Sequence, residues 1–255
     1  MTLPEDVVAC ARIVEQGDAD RFRTVMAAPV AARARLFPLY AFNIEVARAP
    51  WVTQEAMIAE MRLQWWRDAL EEIATGADVR KHEVTTPLAR AIGAEQARLL
   101  DGAIAARRWD IYRDAFEDAV HFDCYLDQTA GHLMWSAAQV LGAPADQEAA
   151  VRSVAHVAGL VAFLRAVPEL ERAGRIPLLD GTQAGVGDLA RRIMLRLTMP
   201  RVPATVRPAL WPAIGARKVL AQVIHDPAMV AEDRMPNALT SWRLGVSAVS
   251  GRLLL

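Results

Sequence analysis

The sequence predicts an all-α protein, and three observations carry that prediction. Apolar residues make up 53% of the chain, with Ala, Leu, Arg and Glu dominant and only 3 Tyr and 6 Phe, a balance that favours helices over strands. The stretch Leu36–Trp51 repeats its apolar positions at helical spacing, placing Leu36, Leu39 or Tyr40, Asn43, Val46 and Ala47 on one side. Pro and Gly then punctuate the chain at helix-sized intervals, at Pro4, Gly17, Pro29, Pro50, Gly76, Gly142 and Pro200.

Each element follows from local signals. Pro4 opens a helix that Gly17 stops, and Asp18 or Asp20 can cap a second one through Met26. The Leu36–Trp51 helix takes Pro29 near its start and Pro50 at its end. Thr53 is placed to cap the next helix, with Glu55 and Glu60 near its positive end. Residues 76–86 read as a polar loop, followed by helices over 87–92 and 95–110. Asp110, Asp114 and Asp118 would share a face if that last helix continued. Such a carboxylate line can hold Mg²⁺, but Arg107, Arg108 and Arg113 alternate with it and favour a solvated, salt-bridged face. A long apolar stretch from Phe122 stops at Gly142-Ala143-Pro144. Within it Asp123 and Asp127 stand four apart, a pair that could bind a metal or occur by chance, and Gly131 costs about 1 kcal/mol against Ala unless another helix or a ligand approaches it. Further helices are expected over 186–198, 213–224 and, with Trp242, 238–254.

Length and charge narrow the function. At 255 residues, with no internal repeat, low-complexity segment or linker, one domain over 1–255 is the simplest organisation. A formal net charge of -1 supplies no basic footprint for nucleic acid. Cys10 and Cys124 have neither CxxC spacing nor a metal-binding His pattern and read as small buried apolar residues in a reducing compartment. The acidic start, Met1-Thr2-Leu3-Pro4-Glu5-Asp6, is unlike a secretory signal. The most apolar window, Val151–Val167, carries Arg152, His156 and Arg165, so no spanning helix is expected there. A mean hydropathy of +0.14 keeps a peripheral membrane position open.

Several words in the chain carry a resemblance. Leu39-Tyr40-Ala41-Phe42, Leu63-Gln64-Trp65-Trp66-Arg67, Tyr125 with Ala130-Gly131, and Leu164-Arg165 followed by Gly174-Arg175 stand in the order and spacing of the squalene/phytoene synthase family. The resemblance covers roughly residues 20–179 and implies an isoprenoid-synthase-type helical bundle around a central apolar cavity. Members condense prenyl diphosphates, using Mg²⁺ held by two aspartate-rich motifs. At the five matching positions this sequence has Ala47, Arg48, Trp51, Ala166 and Leu170. Small hydroxylated residues that touch diphosphate in the family are replaced by Asp20-Arg21-Phe22-Arg23. Glu45 and Glu169 are the nearest surviving acids.

With both motifs lost, no metal site, no Mg cofactor and no catalytic residue are expected. The pattern is most like the aspartate-poor members that assist assembly of respiratory complex I. That likeness implies a non-catalytic scaffold with complex I subunits or an apolar or prenyl ligand as partner. It also implies a cytoplasmic setting that extends to the cytoplasmic face of the inner membrane. The alternative is an active prenyl transferase with substitute ligands. Candidate ligand-binding residues are Arg48, Arg62, Arg165 and Arg175 as anion contacts, with Tyr40, Trp65 and Trp66 as cavity walls. The tryptophans can equally be packing residues. Arg48 reverses the charge at a former metal position, and is free to pair with Glu45 or Glu169 or to hold an anionic head directly.

Overall fold

The punctuation residues act close to where the sequence places them. The computed structural model describes residues 2–53, 55–250 and 253–255, and among these residues there are helices and no strands. Helix α1 spans Glu5–Gly17, and α2 spans Ala19–Met26 with the Asp18 side chain accepting from the Arg21 amide, a satisfied N-cap. Helix α3, Val30–Arg48, starts after Pro29 and contains Pro38, which removes one ladder hydrogen bond. Helix α4, Ala56–Thr75, ends on Gly76 in the left-handed region. Thr53 does not cap it as expected: its hydroxyl accepts from the Glu55 amide, and Glu55 is the N-cap residue.

Helices α5, Thr85–Ala91, and α6, Ala94–Arg107, follow, the latter running into a 3₁₀ turn at Arg108–Asp110. Here the structure corrects the carboxylate line. Residues 111–118 are not helical, so Asp110, Asp114 and Asp118 share no face. Asp110 is buried and Asp118 caps α7, Ala119–Leu126. That helix passes through a π-helical turn, Asp127–Gly131, directly into α8, His132–Val140.

Helix α9, Glu148–Arg172, runs through the centre. It is followed by α10, Gln183–Leu195, a 3₁₀ segment at Arg207–Ala213, α11, Ala216–His225, the short α12, Ala228–Ala231, and α13, Ser241–Ser250. Met1 and residues 251–252 of the expected tail helix lie outside the described residues. Ala145–Arg172 is long and apolar enough to cross a membrane, yet 56% of its most apolar window is buried within the fold. Its role here is that of a core helix.

Two apolar clusters form the interior. One gathers α1, α3, α5, α6 and α8 around Leu36, Phe37, Tyr40, Phe42 and Trp135; the other packs Phe116, Phe122 and Phe163 with α10 and α11. Helix α9 joins them, giving Val151, Val154 and Ala155 to the first and Leu160, Leu164 and Val167 to the second. Helices α3 and α9 are apolar on nearly all sides because other elements surround them. Cys10 is buried, and burial pushes its thiol up to about 12, whereas Cys124 is exposed, against the expectation that both are buried.

Candidate functional site

A cavity of about 570 Å³ lies between α3 and α9, within the ~300–1,000 Å³ range of small-molecule sites. Helix α9 makes room for it with a stripe of small residues, Ala155, Ala158, Gly159, Ala162 and Ala166, recurring at helical spacing. A Cβ on Gly159 would stand 2.5 Å from Ala130 Cβ, so this glycine lets the α9 backbone approach the π turn. Leu126, Leu133, Met134, Val161 and Phe163 supply apolar wall. From α3 come Tyr40, Asn43 and Ala47, with Trp51 just beyond the helix end.

Four of the five positions that carry aspartates in the resembled family therefore face one cavity. Ala47 and Trp51 line it from one side, Ala166 and Leu170 from the other. Ala166 and Leu170 stand four apart on α9 and so share a helical direction, whereas Trp51 reaches the cavity from the turn that follows α3. Arg48, one residue and roughly 100° further round α3, turns to a neighbouring groove against α1 and pairs with Glu45 at 3.1 Å.

The polar end of the cavity is charged but internally matched. Among the described residues its lining includes three arginines, Arg21, Arg107 and Arg165, and four carboxylates, Asp18, Asp20, Asp110 and Glu169. Asp18 pairs with Arg21 at 2.9 Å, Asp20 with Arg23, Glu169 with Arg172, and Asp110 with Arg107 at 2.9 Å. Tyr125 completes the last pair, donating to Asp110 at 2.9 Å and lying 3.0 Å from Arg107. Burial alone would lower the Arg107 pKa, but Tyr125 and Asp110 more than offset it and hold the guanidinium charged. Burial raises the Tyr40 phenol to about 12, and the Arg21 guanidinium sits 4.9 Å from its ring centroid.

The donor set does not match Mg²⁺, which takes several free carboxylate or carbonyl oxygens in octahedral array. Every carboxylate on the wall is held by an arginine. Among the described residues, no group of three or more His, Cys, Asp or Glu side chains is disposed to hold a metal. Asp123 and Asp127, the other candidate pair, go to different partners. Asp123 meets Arg192 and Arg196, the latter at 2.8 Å. Asp127 accepts from Arg152 at 3.0 Å and lies 2.8 Å from His156. Burial would raise the Asp127 carboxyl, but these partners overcome it and hold it below the usual range.

The expected site residues divide. Tyr40 and Arg165 line the cavity. Trp65 and Trp66 do not: Trp66 packs edge-on against Phe42 and Trp65, and Trp65 carries Arg80 over its ring, so both are packing residues of α4. Arg62 is exposed on α4, away from the lining. Arg175 lies at the rim, with its guanidinium 4.6 Å from the Trp51 ring centroid and a 2.9 Å bond to the Tyr112 carbonyl, where it fixes loop backbone. Sequence reasoning missed the Arg107–Asp110–Tyr125 set, because Asp110 reads as part of a solvated line. It also missed the alanine stripe of α9, whose signal was legible at i, i+3, i+4, i+7 and i+11.

The architecture is that of an all-α isoprenoid synthase. A dehydrosqualene synthase crystallised in complex with ligand superposes with a TM-score of 0.64 at 17% identity, over 96% of this chain and 83% of that one. The squalene/phytoene synthase model matches residues 14–188, and the chain belongs to that family. Curated relatives include NADH dehydrogenase (ubiquinone) complex I assembly factor 6 of Homo sapiens, 24% identical over 163 residues, 62% of this chain and 48% of that protein. The homologue from Drosophila melanogaster is 26% identical over 166 residues, 62% of this chain and 50% of that protein. The chain spans about half the length of these relatives.

Proposed function

We propose that this chain is a non-catalytic squalene/phytoene-synthase-type protein that assists assembly of respiratory complex I. It works without a metal cofactor, from the cytoplasm or the cytoplasmic face of the inner membrane, and contacts complex I subunits. The observation that carries the reading is the cavity wall itself. Ala47, Trp51, Ala166 and Leu170 stand where diphosphate-binding Mg²⁺ would need carboxylates. Ionising an allylic diphosphate leaves several negative charges that metal ions must neutralise. Prenyl transfer here would have to draw on Asp18, Asp20, Asp110 or Glu169, each paired with an arginine, and freeing the buried Asp110 from Arg107 would leave unpaired charge inside the fold. The complex I assembly factors among the relatives support the positive half of the proposal.

Deleting the gene in the organism that encodes it is expected to lower the amount of fully assembled complex I on native gels, with subunits accumulating in smaller subcomplexes. Re-expression should restore it. Unchanged complex I in the deletion would overturn the assembly role.

A further inference from the structure

We infer that α13 docks on an anionic lipid surface through a solvent-facing apolar stripe, Trp242, Val246 and Val249. The inference rests on the membrane half of the proposed function, and it names the docking surface and the charge of the lipid.

Helix α13 turns its apolar side outward. Trp242, Val246 and Val249 stand at i, i+4 and i+7 and so form one stripe, and they are 63%, 43% and 91% exposed. Its buried face consists of Leu244 and Ser247, and the Ser247 hydroxyl makes no hydrogen bond among the described residues. Single exposed apolar residues need no explanation, but a row of them along one helix marks an interaction face. Trp with aliphatic neighbours on one side of a helix suits the boundary between lipid headgroups and acyl chains.

Charge decides the occupant. The formal net charge of -1 conceals an uneven distribution: residues 189–255 hold 10 of the 29 Lys and Arg and 3 of the 30 Asp and Glu, a formal +7, leaving -8 on residues 1–188. Within that basic quarter Arg191, Arg192, Arg196 and Arg234 are paired with carboxylates. Its own three carboxylates are also engaged, Asp226 and Glu232 by Arg234 and Asp233 by Arg172. Arg201, Arg207, Arg217, Lys218 and Arg243 have no ion pair among the described residues.

Three of these free cations stand beside the stripe. The Arg243 guanidinium lies 5.4 Å from the Trp242 ring centroid. A Cβ on Gly215 would be 3.1 Å from Arg243 Nη1, so α13 begins next to the start of α11, where Arg217 and Lys218 are exposed in the first turn. Unpaired cations around an apolar stripe attract anionic headgroups. A second copy of this chain fits the same face less well. Between Arg234 and Leu255 there is no Asp or Glu, so two α13 helices in contact would have no carboxylate of their own to set against Arg243.

Co-sedimentation of the full chain with vesicles tests the inference, using phosphatidylcholine alone and phosphatidylcholine mixed with phosphatidylglycerol. Binding to the anionic vesicles is expected to exceed binding to the neutral ones by at least about ten-fold, and to weaken in high salt. Val249→Glu, at the most exposed position of the stripe, should lower it by about ten-fold or more and leave the melting temperature unchanged. Arg217→Gln combined with Lys218→Gln should cut the preference for anionic vesicles by about ten-fold. Equal binding to the two vesicle types, no binding to either, or undiminished binding by Val249→Glu would each overturn the inference. So would a dimer that forms without lipid and is dissolved by Val249→Glu, which would assign the stripe to a second copy. None of these readouts depends on complex I levels, so failure here and failure of the assembly role are distinguishable.

Discussion

Asp110→Ala is expected to destabilise the fold by about 3–5 kcal/mol, the range for stripping one partner from a buried ion pair. Asp110 is 3% exposed and bonds both Arg107 and Tyr125. Removing it leaves the Arg107 charge beside an apolar wall with only the Tyr125 hydroxyl as partner. The same substitution loosens the loop at 108–112, whose carbonyls Arg175 holds against Trp51. Asp110→Asn, which keeps an acceptor oxygen, should cost less. Urea denaturation followed by circular dichroism measures both. Equal, small losses in the two variants would show that the pair is worth no more than a surface bridge.

Gly215→Ala should be nearly as damaging, by roughly 2–4 kcal/mol, from a left-handed backbone that disfavours a side chain and from overpacking. Gly215 has φ +80°, and a Cβ there would collide with the Ala238 carbonyl. Its own amide donates to the Leu254 carbonyl at 2.9 Å, so this residue joins the start of α11 to two later segments of the chain. Ala238 and Leu239 line the cavity, and the damage should therefore reach the site. The melting temperature of Gly215→Ala checks the stability cost. Gly76→Ala serves as the control, because it shares a positive φ of 72° but has open space around it, and it should lose only the backbone share.

Helix placement was legible because Pro, Gly and Asp act locally. Asp18 caps α2 and Gly76 ends α4 through their own backbone and side-chain geometry, without help from distant residues. The matched family positions were legible only through the resemblance, and the structure brings four of them, Ala47, Trp51, Ala166 and Leu170, to one cavity. What escaped was set by tertiary context. Asp110 looks solvated beside its arginines until the chain leaves the helix after it and folds Tyr125 over it. The π turn at Asp127–Gly131 has no composition signal. It is held by Asp127 reaching Arg152 and His156 on α9, contacts far apart in sequence. Trp65 and Trp66 are apolar enough for either a core or a cavity, and only their neighbours Phe42 and His82 decide between them.

The central claim is that the synthase fold has kept its cavity and lost its chemistry. Release of inorganic diphosphate from farnesyl or geranylgeranyl diphosphate in Mg²⁺, measured with the purified full chain, tests it most directly. The predicted result is no release above the enzyme-free background and no condensed product. Mg²⁺-dependent release accompanied by a squalene- or phytoene-like product would contradict the account and assign catalysis to carboxylates that the structure shows paired.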